Sequence, residues 1–172
     1  MATLRPAKCY KRIKRPFTRQ SRKKPRKSFA KGVPGRKINK FEVGDPKKEF
    51  SLSAELIAKN SVQIRHNALE AMRVTANKYL NKMLGEEYFL KVLVFPHHVM
   101  RENPTATGAG ADRFQTGMRK SYGRPIGTAA QVRAGKSLLL VRVDKTKRMI
   151  AKEALRRASN KIPTTSRIAY NN

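Results

Sequence analysis

Hydrophobic positions along the chain recur at two different periods, and the change of period marks the elements. Lys37–Val43 alternates partially and ends at the turn signal Gly44-Asp45-Pro46. Phe50, Leu52, Ala54 and Leu56 alternate again, which predicts a second strand. From Val62 the spacing lengthens to three, four and seven: Val62, Leu69, Met72, Ala76, Tyr79, Leu80 and Met83 form one apolar face. That predicts a helix of about six turns. Asn60 or Ser61 would cap it, Asn60 and Gln63 would form a capping box, and Gly85 would end it. The opposite face carries Arg65, Glu70, Arg73, Lys78 and Lys82 and reads as solvated or phosphate-facing.

Tyr88–Phe95 is apolar, β-branched and aromatic, a central strand stopped by Pro96. Ile126–Val132 and Leu138–Val143 read as a hairpin about Arg133-Ala134-Gly135-Lys136. Asp144 or Thr146 would cap a second helix with Ile150, Ala151, Ala154, Leu155, Ala158 and Ile162 inward. Pro163 would end it, and Thr164–Tyr170 would return as an edge strand. The expected fold is α+β: two helices packed on a mostly antiparallel or mixed sheet. The expected organisation is a basic extended arm over residues 1–35, then a single domain over 36–172 with a long functional loop over 96–128.

That loop follows no structural period and is unusually long for a compact domain. Its tip, Gly108-Ala109-Gly110-Ala111, is small and flexible, whereas Arg113, Arg119, Lys120 and Arg124 alternate with Phe114, Met118 and Tyr122. Interleaved basic and aromatic side chains suit a polyanion that also presents flat bases.

Charge sharpens this. Forty Lys and Arg against eleven Asp and Glu give +29 over 172 residues, a self-repulsion that calls for a polyanionic partner. Sixteen of those cations fall within residues 1–40, ahead of the first acid at Glu42, and Pro6, Pro16, Pro25 and Pro34 break any long helix there. Free in solution such an arm should be disordered; wedged among phosphates it can order in an extended form. No apolar run reaches the roughly 18 to 20 residues of a membrane span, and no signal-peptide core argues for secretion. The single Cys9 excludes an intramolecular disulfide and a multi-cysteine zinc site; its basic neighbours Lys8, Lys11 and Arg12 would lower its pKa.

Catalytic patterns fail on inspection. Ala130–Ser137 fits a relaxed phosphate-binding loop, but a strand follows where a helix is needed. Gly108-Ala109-Gly110 opens a dinucleotide fingerprint that Arg113 breaks. His97 and His98 point apart on extended chain, and no carboxylate pair stands ready for acid–base work. No enzyme, metal or cofactor is expected.

Several blocks together resemble one family: Arg5-Pro-Ala-Lys-Cys-Tyr10, Lys31-Gly-Val-Pro34 with Ile38, the Asn67–Leu80 helix, and Phe95-Pro-His-His-Val-Met-Arg-Glu-Asn103. Ala109-Gly-Ala-Asp-Arg-Phe-Gln-Thr-Gly-Met-Arg119 and Gly123-Arg-Pro-Ile-Gly-Thr128 complete the pattern. The chain resembles, over nearly its full length, the L ten e family of large-subunit ribosomal proteins, the archaeal and eukaryotic counterpart of bacterial L sixteen. Lacking the longer eukaryotic-type C-terminal region, it looks like an archaeal member. It departs from the family at Lys120-Ser121-Tyr122, where small residues usually follow Met-Arg.

The resemblance implies a cytoplasmic, ribosome-bound protein near the peptidyl transferase centre. Its partners would be large-subunit rRNA, the tRNA acceptor end and other large-subunit ribosomal proteins, with no membrane and no homo-oligomer. It implies rRNA contacts at Arg5, Lys8, Arg12, Lys14, Arg15, Arg19, Arg22, Lys23, Lys24, Arg113, Arg119, Lys120 and Arg124. The tRNA-proximal loop would present Arg101, Glu102, Asn103, Thr105, Thr107, Gly108, Gly110 and Asp112. The competing readings are a general DNA-compacting or RNA-chaperone protein and, more distantly, a nucleoside-triphosphatase.

Overall fold

The computed structural model describes residues 5–11, 13, 21, 23–115, 117–119 and 121–171. Two antiparallel sheets share the chain. The larger has five strands in the order β1 (Glu42–Gly44), β4 (Phe89–Val92), β7 (Ser137–Val143), β2 (Leu52–Ala58) and β8 (Ser166–Asn171). The smaller has three, ordered β3 (Val62–Arg65), β6 (Arg124–Val132) and β5 (His98–Glu102). The α+β expectation holds, and the strand pairs among the described residues are antiparallel.

Alternation builds β2, whose Leu52, Ala54, Leu56 and Ala58 are buried while the residues between them are half-exposed. Central β7 is instead buried continuously from Leu138 to Val141, as a strand covered on both faces must be. Helix α2 (His66–Leu84) buries His66, Leu69, Met72, Ala76 and Leu80, and α3 (Arg148–Ser159) buries Ala151, Ala154, Leu155 and Ala158. The two helices pack on each other, α3 also reaching β2, β7 and β8. Gly85 ends α2 at φ +62°, its amide bonded to the Asn81 carbonyl. The final strand β8 takes the sheet edge beside β2, as the C-terminal pattern predicts.

Three expectations are corrected. The first helix starts at His66 rather than near Ser61, because Val62, Gln63 and Ile64 are all buried in strand β3. Gln63 therefore makes no capping box; its amide donates to the Cys9 carbonyl. Residues 126–132 and 138–143 do not form a hairpin either. They lie in different sheets, and the turn at Arg133–Lys136 carries the chain from one to the other. That turn nests against the β2–β3 crossing: Gly135 N–H donates to the Ala58 carbonyl, Ala58 N–H to the Lys136 carbonyl, and Ala134 N–H to Ser61 Oγ. Finally, the loop is shorter than 96–128, since β5 and β6 occupy both its ends and leave residues 103–123 between them.

Candidate nucleic-acid interface

Strands β5 and β6 pair His98 with Ala129, Val99 with Thr128, Met100 with Gly127 and Glu102 with Arg124. A bulge between Met100 and Arg101 shifts the register and turns the end of β5. The loop leaves this base through Gly123, at φ +81°, where an added Cβ would stand 2.6 Å from the Glu102 carbonyl carbon and 2.7 Å from its oxygen. Only glycine fits that approach. Beyond it, two side chains tie the loop across: Asn103 Nδ2 donates to the Gly117 carbonyl at 3.2 Å and Gln115 Nε2 to the Ala106 carbonyl at 2.9 Å. A short 3-10 turn, Ala111–Arg113, starts from left-handed Gly110. Residues 104–110 are exposed throughout.

The arm docks on the base of this hairpin. Its short helix α1 (Lys8–Lys11) packs on β3, Gln63 holds the Cys9 carbonyl at 2.9 Å, and Gln131 Nε2 donates to Gln63 Oε1 at 3.2 Å. Arg5 forms an ion pair with Glu102. Arg5, Lys8, Arg101, Glu102 and Asn103 thus line one open cleft with Tyr122. The Arg101 guanidinium lies 3.6 Å from the Tyr122 ring centroid, a cation–π contact that holds it flat. Burial pushes the Cys9 thiol up, outweighing the opposing charges of Arg65 and Arg5. This reverses the expected lowering.

Of the predicted contact residues, Arg5, Lys8, Arg101, Glu102 and Asn103 are brought together, although 93 or more residues separate the two groups in sequence. Arg113, Arg119 and Arg124 stand exposed on the loop's return, Thr105, Thr107, Gly108, Gly110 and Asp112 on its outer part. Lys23 and Lys24 are exposed at a separate turn, where the Lys24 amide donates to Ser21 Oγ. Arg12, Lys14, Arg15, Arg19, Arg22 and Lys120 lie outside the described residues. Phe114 and Met118 are 88% and 74% exposed, so large apolar groups stand in solvent among cations. Tyr122 and Gln63 were missing from the predicted site. The interleaving of Tyr122 with basic residues is visible in sequence, but the register that stacks it under Arg101 is not.

No group of three or more His, Cys, Asp or Glu among the described residues could hold a metal ion. The Gly135-Lys136-Ser137 segment turns directly into β7, so no helix N-terminus presents amides to a phosphate chain. Lys136→Ala is expected to leave magnesium-dependent ATP and GTP binding at background, as in the unaltered protein. Its unfolding free energy should change by less than about 0.5 kcal/mol, as for exposed sites generally. Equilibrium dialysis and denaturant melts check both.

Two histidines tie pH to folding. The Lys37 amide donates to His66 Nδ1 at 2.9 Å, so the ring is neutral with its proton on Nε2. Burial, then the charges of Arg65 and Lys37, hold its pKa below 6.5; burial, His97 and Arg101 do the same for His98. The unfolded chain therefore binds more protons, and the stability tied to these neutral rings is complete above pH 6.5. It is lost as pH falls from there through the lower folded values. The melting temperature should drop between pH 7 and 5, and a His66→Gln/His98→Gln variant should show a flatter profile.

A family model described as "Ribosomal protein L16p/L10e" matches residues 16–169. The chain is 50% identical over 169 residues to the "Large ribosomal subunit protein uL16" of Staphylothermus marinus, covering 97% of this chain and 93% of that one. It is 44% identical over 165 residues to the protein of the same name from Archaeoglobus fulgidus, covering 95% and 91%. With the Thermoplasma acidophilum protein the figure is 45% over 166 residues, 95% and 90% covered. The resemblance drawn from the loop and arm motifs holds across the fold, and the chain belongs to the L16p/L10e family of ribosomal proteins.

Proposed function

We propose that this chain binds large-subunit rRNA near the peptidyl transferase centre and helps position the acceptor end of aminoacyl-tRNA. Its family makes it a structural constituent of the large ribosomal subunit, not an enzyme. The observation that carries the finer reading is the convergence of arm and hairpin. Arg5 and Lys8 meet Arg101 and Asn103 in one cleft, and an exposed loop with Phe114, Met118, Arg113 and Arg119 projects beyond it. Cations fix such a surface on phosphates, and exposed apolar side chains reach unstacked bases. In this reading residues 1–35 are the rRNA-binding arm, 36–172 are a single domain, and the protein works ribosome-bound in the cytoplasm. Other large-subunit proteins and rRNA are its neighbours. No helix among the described residues is long and apolar enough to cross a membrane.

The test separates anchoring from tRNA handling. Residues 104–111 are replaced by a short Gly-Ser linker, leaving the Arg5–Glu102 pair and the basic return of the loop in place. Large subunits carrying this variant should contain the protein at normal occupancy but accommodate aminoacyl-tRNA several-fold more slowly. Normal occupancy with an unchanged rate would remove the loop from tRNA positioning. Protein that sediments free of the large subunit in moderate salt, and binds duplex DNA as tightly as RNA, would point instead to a general compacting role.

A further inference from the structure

At the opposite end of β6 from the hairpin loop, roughly 26 Å along the strand by its rise per residue, the two sheets part and leave an open groove of about 350 Å³. Apolar Leu93, Val94, Phe95 and Ala130 line it together with His97, Gln131, Arg133 and Lys136. The sequence explains the geometry. Strand β4 ends at Val92, the Leu93 amide still donates to the Leu138 carbonyl, and past Pro96 the His97 amide turns back to the Phe95 carbonyl at 2.9 Å. The chain crosses between sheets at that kink, and the Phe95 ring is left 45% exposed. Phe41 stacks on it at 5.6 Å between centroids, and the Arg36 guanidinium lies 4.5 Å from its centroid.

We infer that this groove holds one unstacked nucleotide of single-stranded RNA, its base against the half-exposed Phe95 side chain and the apolar lining and its phosphates on Arg133 and Lys136. The inference rests on the RNA-binding reading above but concerns a second face. Charge complementarity commits it to a polyanion: no carboxylate lines the groove, and Arg36, Arg133 and Lys136 have no acidic partner among the described residues. Arg36 Nε is buried without a hydrogen-bond partner, with the guanidinium set over the Phe95 ring. Phe41 and Arg36 hold the Phe95 ring in place, and its exposed part with the apolar lining favours the flat face of a base over a peptide carboxylate. This also gives the Arg133–Lys136 turn a role that does not need a nucleoside triphosphate.

The full chain is tested with a 12-nucleotide oligouridylate carrying one 4-thiouridine, irradiated in moderate salt, and the crosslinked peptides are mapped by mass spectrometry. Crosslinks are expected on the peptide spanning Phe95 and His97, competed by single-stranded but not by blunt duplex RNA. Phe95→Leu should reduce their yield at least tenfold. Arg133→Glu/Lys136→Glu, which alters only exposed side chains, should do the same while circular dichroism stays unchanged. Arg113→Ala/Arg119→Ala should lower loop crosslinks and leave the groove's intact. Crosslinks confined to the arm and residues 113–124 would overturn the groove while RNA binding itself stands. A poly-glutamate peptide that protects the Phe95 peptide as well as oligouridylate does would assign the groove to an acidic protein segment, which also overturns the proposal. No crosslinks anywhere would sink the RNA-binding reading as a whole, and the groove with it.

Discussion

Removal of residues 1–35 is expected to cut affinity for large-subunit rRNA by at least 100-fold at about 0.15 M salt and to flatten its salt dependence. The segment holds thirteen Lys and Arg and no acid. Each cation seated on a phosphate releases a counterion, and log affinity falls with log salt at roughly 0.7 to 0.9 per contact. Six to ten such contacts change affinity by about 10³ to 10⁵ between 50 and 200 mM salt, so losing even half of the arm's cations from the interface dominates every other single change. The truncated chain should still fold, since the core of Leu56, Ile64, Leu69, Leu90, Leu139 and Leu155 lies outside the arm. It should melt somewhat lower, because Ala30, buried at 4% exposure, the Gln63–Cys9 bond and the Arg5–Glu102 pair go with it. Filter binding across a salt series measures the slope. An unchanged slope would mean that the arm is not the phosphate binder.

Gly123→Ala is expected to destabilise the protein by about 2–4 kcal/mol, an unusually large effect for one methyl group at the surface. Left-handed backbone costs an L-residue roughly 1–2 kcal/mol. The new Cβ would also meet the Glu102 backbone at 2.6 and 2.7 Å, where no flexible side chain can give way. Relief requires Glu102 to move, which pulls on its pairing with Arg124 and on Arg5. For a chain of this size the melting temperature should fall by roughly 4–15 °C. Tighter binding of the arm to the hairpin cannot compensate, because the arm's anchor is the displaced residue. A melting temperature within a degree of the unaltered protein would show that the loop base is looser than its geometry.

Much of this was legible from residue order, and the failures share a cause. Gly85 and the alanine face of α3 are local signals, and both mark the observed end and face, whereas α3 stops at Ser159 rather than at Pro163. Val62 to Arg65 went wrong because Val62 and Ile64 satisfy a two-residue period while Val62 and Leu69 satisfy a helical one. Burial of β3, which decides between them, comes from the packing of α1 and α2 on it and from its pairing with β6 some 65 residues later. The β6–β7 hairpin looked right locally, with two apolar runs about a glycine turn. Partner choice is a property of the whole sheet, and β7 already has β2 and β4. His98–Glu102 hid inside the loop because Val99 and Met100 are buried in succession and the bulge then breaks alternation. The site divides in the same way. Its charge and aromatic content were readable, whereas the meeting of Arg5 with Glu102 across 97 residues was not.

The pairing of β2 with β8 places Ser53 opposite Asn171, 118 residues apart. At about 5–20 residues per second of synthesis, β2 waits roughly 6 to 24 s after its own emergence before its outer neighbour exists. During that interval a seven-residue strand, four of whose residues will be buried, keeps its β8 edge open, and its other edge too until β7 is made. Such an edge recruits strands from other nascent chains. Glu55 stands at its centre, bonded to Ser137 in the finished fold but charged and unpaired by any strand beforehand. A carboxylate midway along an otherwise small and apolar strand makes intermolecular pairing costly while β8 is still being made.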